Sequence, residues 1–195
     1  MKSPRHLLLA FAASLAIGGC APLVTQSPGQ GLSPVNAVSE GEDHHLMLFG
    51  SDVVNYFTDK AYRRGDPAIK TVYKDVTFRF ATPEHKTLFD ANPGKYIPQF
   101  GGYCSNGIAY GVPWGGDADV FELFDGKLYI FGGHGSHDAF MLDVPRNMAL
   151  ANKYWSEEVN GSNALVQRVK RLVFHVPHWK SGEELAKEVA AAKKG

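Results

Sequence analysis

Cys104 stands in the most constrained surroundings of the chain, the run Gln99-Phe-Gly-Gly-Tyr-Cys-Ser-Asn-Gly-Ile-Ala-Tyr-Gly111. Glycines this dense mark backbone that needs positive φ or the close approach of another group. The pattern predicts a tight, aromatic-walled turn presenting one thiol, with Gly101, Gly102 and Tyr103 as its ligand-binding frame. A lone thiol of this kind is a soft metal ligand, a nucleophile, or a small core hydrophobe.

Each use of the thiol makes its own demand on the rest of the chain. A soft-metal site needs two or more thiolate, thioether or imidazole donors converging on one point. His134 and His137 form an H-x-x-H pair, His44 and His45 sit farther upstream, and Met47 and Met141 offer thioethers. Closure of His134 or His137 over Cys104 would give a copper or zinc site, and these are the expected cofactors. A thiol enzyme needs a base beside Cys104; there is no C-x-x-C, which removes a thioredoxin-type cycle. Asp52, after Gly50-Ser51, reads as a ligand, a base or a turn cap. A third use is non-catalytic binding of another envelope protein, served by the aromatic residues.

The chain opens on a basic start at Lys2, Arg5 and His6, followed by an apolar run from Leu7 to Ile17 that ends in Gly18-Gly19-Cys20. That is the layout of an export signal; the run falls short of the about twenty apolar residues a membrane span needs. Its ending resembles a bacterial lipobox, which makes Cys20 the acylated N-terminus and a membrane the first partner. The expected location is the cell envelope facing the periplasm, with the outer membrane favoured because Ala21 follows Cys20 and not an Asp. Without residues 1–19 the chain keeps eighteen basic against twenty acidic residues, a formal charge of −2. No basic stripe remains to neutralise a phosphate backbone, so nucleic acid is not an expected partner. With Cys20 acylated, Cys104 is the one remaining thiol and no internal disulfide forms.

The elements that must position these residues are legible by period and punctuation. Residues 20–43 read as a flexible Pro/Gly/Ser tether, 44–156 as the folded domain and 157–195 as a helical extension. Two hairpins turn at Lys74-Asp75 and Asp125-Gly126, and Val76, Phe78 and Phe80 share a face. Thr82-Pro83 starts a helix that Asn92-Pro93-Gly94 stops. His137 to Tyr154 is helical with Pro145 kinking or splitting it, 163–174 is a short amphipathic helix, and Ser181 with Glu184 opens a last helix by a capping box. Mixed sheet with helices around it is the α+β class.

Four segments, Gly50-Ser-Asp-Val-Val-Asn-Tyr-Phe57, Phe78-Arg-Phe-Ala81, Asn92-Pro-Gly-Lys-Tyr96 and Pro98-Gln-Phe-Gly-Gly-Tyr-Cys104, resemble the YHS domain family in order and spacing. The resemblance runs from about Leu46 to Trp155 and takes in Asp125–Tyr129 and Asp143–Asn147. It implies a ligand-binding module, heavy metals being the ligands of members found beside metal-transporting ATPases. Those members resemble one another in a Cys-Ser pair and a second Cys where this chain has Ala81, Thr82 and His85, so His85 joins Cys104, His134 and His137 as a candidate metal ligand.

Overall fold

The structure, a computed structural model, describes Leu32 and residues 34–194; the leader 1–19 and Cys20 lie outside the described residues. Among those residues the fold is α+β. Strands β1 (Ala37–Glu40), β2 (Asp43–Met47), β3 (Asp66–Tyr73) and β4 (Val76–Phe80) form one sheet in the order β1-β2-β4-β3. β1 and β3 run antiparallel to their neighbours, while β2 and β4 meet in parallel. Between β2 and β3 lies the short helix α1 (Asn55–Thr58), and α2 (Pro83–Ala91) and α3 (Pro93–Tyr96) follow β4. The Cys104 turn leads into α4 (Ser105–Ala109), and β5 (Asp117–Phe124) and β6 (Lys127–Phe131) make a separate hairpin. Helices α5 (His134–Met141), α6 (Val144–Tyr154), α7 (Ala164–Val173) and α8 (Gly182–Ala192) complete the chain, with a π-turn over Trp155–Val159 after α6.

Local chemistry explains these boundaries. Lys74 and Asp75 both take positive φ, as do Asp125 and Gly126, the conformation a two-residue hairpin loop requires. Thr82 accepts the His85 amide at the start of α2, with Pro83 at the first helical position. Pro145 splits the expected 137–154 helix: α5 ends at Met141, and Asp143 caps α6 through the Arg146 amide. Ser181 and Glu184 close a reciprocal capping box on α8.

The packed part starts earlier than the expected tether boundary. Val35, Ala37 and Val38 are buried, and 37–40 form β1. Their small apolar residues fill the sheet edge beside Met47 and Leu48, although they stand in a stretch whose composition resembles a linker. Val76, Phe78 and Phe80 face a core with Phe89, whose ring lies 4.6 Å from that of Phe78. The opposite face of β4 is covered as well. Arg79 is buried there against Asp43 and Glu40. A second core, of Phe100, Tyr103, Ile108, Phe131 and Phe140, lies under α4, β6, α5 and α6.

Candidate functional site

Cys104 is buried at the junction of three elements. Its amide donates to the Trp114 carbonyl at 2.9 Å, its backbone bridges Ile130 of β6, and its Sγ accepts the Gly107 amide at 3.4 Å as the cap of α4. The thiol is also hydrogen-bonded to Ser136 Oγ of α5, at 3.1 Å. Glycine makes this approach possible: a Cβ on Gly132 would fall 3.5 Å from the sulfur and 2.9 Å from the Gly115 carbonyl oxygen.

The frame residues around the thiol face inward. Gly101 has φ near +60°, and a Cβ there would lie 2.3 Å from the Pro34 carbonyl oxygen. Its own carbonyl receives the Asn36 amide at 2.8 Å, and the Asn36 side chain reaches the carbonyls of Gly102 and Gly116. Tyr103 is fully buried and donates its hydroxyl to the Val35 carbonyl at 2.8 Å. Burial drives its phenol well above the ordinary tyrosine range. Gly101, Gly102 and Tyr103 thus clasp residues 34–36, the segment that leads into β1.

Two other candidates meet each other and not Cys104. Asp52, with no exposed surface, pairs with His85 Nδ1 at 2.7 Å. The same carboxylate accepts the amides of Val54, Asn55 and Ala81, tying the start of α1 to the end of β4. This is the turn-capping use of the residue. His137 places Nε2 2.9 Å from Glu122 and Nδ1 3.4 Å from Asp138, while His134 opens α5 exposed to solvent. Met47 is buried in the sheet core and Met141 is exposed. Among the described residues no three His, Cys, Asp or Glu side chains form a group that would hold a metal ion.

The feature the sequence did not announce is a groove of about 700 Å³ between α8 and the body of the domain. Tyr110, Trp114 and Trp179 give it aromatic walls, and Leu185, Ala186 and Val189 of α8 form its roof. Ser136, the partner of the Cys104 thiol, stands on its wall. Asn106 lines it too: the residue is 7% exposed, and its side-chain amide has no hydrogen-bond partner among the described residues. Its amide atoms keep contact with the open groove; the fully enclosed side-chain polar atoms without a partner among the described residues are Asn36 Oδ1, Asn55 Oδ1 and Arg171 Nε. The rim charges are already paired, Lys180 with Glu188 and Lys193 with Asp138.

α8 itself buries no residue, although its apolar side faces the groove. An eleven-residue helix is marginal on its own, so its order depends on what it packs against. Among the described residues no helix is long and apolar enough to cross a membrane. The chain matches no family model, no curated protein and no solved structure.

Proposed function

We propose that this protein is a membrane-tethered envelope binding module, and that its ligand is a flat, largely apolar small molecule with one hydrogen-bonding end, held in the groove beneath α8. The observation that carries this reading is the apolar groove of about 700 Å³, onto which the Asn106 amide opens with no side-chain hydrogen bond among the described residues. Small-molecule sites are typically concave and apolar, with a few polar groups fixing orientation, within about 300–1,000 Å³. Aromatic walls at Tyr110, Trp114 and Trp179 suit a ring. The polar end of the ligand pairs with Asn106, and Ser136 with Cys104 behind it stands as a second polar contact on the wall.

The lipobox-like ending at Cys20 supports the tether, and the resemblance to YHS domains supports a binding role. This reading takes an organic ligand in place of the expected copper or zinc, and what supports it is that His85 turns to Asp52 and His137 to Glu122.

The test is a titration of the chain from residue 21 onward with 1-anilinonaphthalene-8-sulfonate, followed by fluorescence. Saturable one-to-one binding is expected, abolished by Ala186→Trp, which fills the groove from the solvent-facing helix. Binding that is non-saturable, or unchanged in Ala186→Trp, would reject the groove as the site.

A further inference from the structure

α7 is mounted inside out. An amphipathic surface helix ordinarily turns its apolar stripe to the core. Here Ala164, Gln167 and Arg171 are the buried positions. Gln167 donates to the Gly111 carbonyl and to Glu158, while Arg171 pairs with Glu158 at 2.5 Å and lies over the Tyr154 ring. Arg168 donates to the Pro113 carbonyl at 2.8 Å between the Tyr103 and Trp114 rings. Burial pushes the Glu158 carboxyl up, but hydrogen bonds from Lys170 and Gln167 and the Arg171 charge outweigh it and hold it below its ordinary range. Polar anchoring therefore fixes the orientation. Leu165, Val166, Val169, Leu172 and Val173, with Phe174 after them, are left between 53% and 68% exposed. At 100° per residue the five helical positions span an arc of about 120°. A continuous exposed apolar face of this kind marks an interaction surface.

We infer that this face is the contact through which the domain lies on a phospholipid bilayer. The inference rests on the reading that Cys20 carries the membrane anchor, and the geometry of the chain's entry favours a bilayer over other occupants. Leu32 and Pro34 line a small pocket with Trp155 and Asn160, four residues ahead of the start of α7. Cys20 precedes Leu32 by twelve residues, a reach of at most about 40 Å. The described chain therefore starts beside the segment that leads into α7, and an anchor within that reach holds the domain at high effective concentration near the lipid surface. The chemistry agrees. The stripe is aliphatic with one Phe, without the Tyr, Trp, Arg and Met anchors that mark the centres of protein interfaces. Leu172 also lines the groove, so an apolar ligand entering from the bilayer would meet the groove mouth at this edge.

The test uses the chain from residue 21 onward, which carries every described residue and no acyl group, so that the stripe is read without the anchor or any groove ligand. Vesicles of phosphatidylethanolamine and phosphatidylglycerol are floated with wild type and with the Val169→Glu/Leu172→Glu double variant, both shown folded by circular dichroism. Sedimentation equilibrium without vesicles gives the mass of each. The expected result is flotation of a monomeric wild type and a loss of at least about tenfold in the bound fraction for the variant. Failure of the wild type to float, or equal flotation of both, would overturn the inference. So would a wild-type dimer that the two substitutions dissociate, which would assign the stripe to a second copy of the chain.

Discussion

Cys104 and Ser136, thirty-two residues apart, share a 3.1 Å hydrogen bond that joins the start of α4 to the first turn of α5. The bond closes the wall of the groove from behind, and it occupies the thiol with a hydroxyl rather than a base. Ser136→Ala is expected to destabilise the fold by about 1 kcal/mol, and Cys104→Ala by about 1–2 kcal/mol. Urea unfolding of both single variants and the double variant would check this, with the double costing less than the sum if the two groups act on each other. In the same preparations, copper or zinc is expected to leave the thermal midpoint unchanged. A metal-induced rise that disappears in Cys104→Ala would restore the metal reading.

The Asp52–His85 pair predicts a larger structural effect. The carboxylate has no exposed surface and accepts three backbone amides besides the imidazole. Removing it leaves those donors buried without an acceptor, so Asp52→Ala is expected to lose about 3 kcal/mol or more in urea unfolding. His85→Ala leaves the amides satisfied and should cost less. Equal effects of the two substitutions would show that the imidazole, and not the turn, is what the carboxylate serves.

Acid should weaken the sheet through Arg79. Burial pushes the Asp43 carboxyl up, but hydrogen bonds from Lys70 and Arg79 outweigh it, and the net shift is below its ordinary range. Hydrogen bonds from Arg79 and then Arg64 lower Glu40 likewise. Both groups bind protons more readily in the unfolded chain, where carboxyls titrate near about 4. Their contribution is therefore complete above that pH and is lost as pH falls through the depressed folded values. Urea unfolding between pH 7 and pH 3 is expected to show this acid limb, and Asp43→Asn to flatten it. Glu40→Gln should flatten it less, since that side chain is 43% exposed and screened by solvent.

Much of this fold was legible because its signals are local. The two positive-φ hairpin loops, the Thr82 and Ser181 caps and the break before Pro145 each depend on a few neighbouring residues, and each stands where the sequence places it. What escaped depends on partners distant along the chain. β1 was hidden in Pro/Gly/Ser composition because its place is decided by pairing with β2 and by the Gly101 and Gly102 carbonyls that hold Asn36. The apolar period of α7 was visible, but not its outward direction, which Glu158 and the Gly111 carbonyl decide by binding Arg171 and Gln167. The Cys104 run was correctly read as tight backbone, yet its glycines approach the protein's own strand and carbonyls. Asn106, two residues from the thiol, gave no signal at all. Only the packing around it reveals that its amide opens onto the groove without a hydrogen bond among the described residues.

That amide carries the sharpest prediction, because it separates binding from stability. In a residue kept for the fold, removal of a buried polar group loses stability. The Asn106 side chain has no hydrogen bond to lose among the described residues, so Asn106→Leu is expected to leave the unfolding free energy unchanged or to raise it by up to about 1 kcal/mol. Binding should respond in the opposite sense. The wild-type groove is expected to favour 1-naphthol over naphthalene, since only the hydroxyl satisfies the amide, and a site built around a buried polar group penalises an analogue lacking its partner. In Asn106→Leu the preference should fall by about tenfold, mainly through weaker naphthol binding, with naphthalene held as well or better. Isothermal titration of both probes against both proteins measures the four affinities directly. A variant that loses stability, or one that keeps the naphthol preference, would remove Asn106 from the site and the polar end from the proposed ligand.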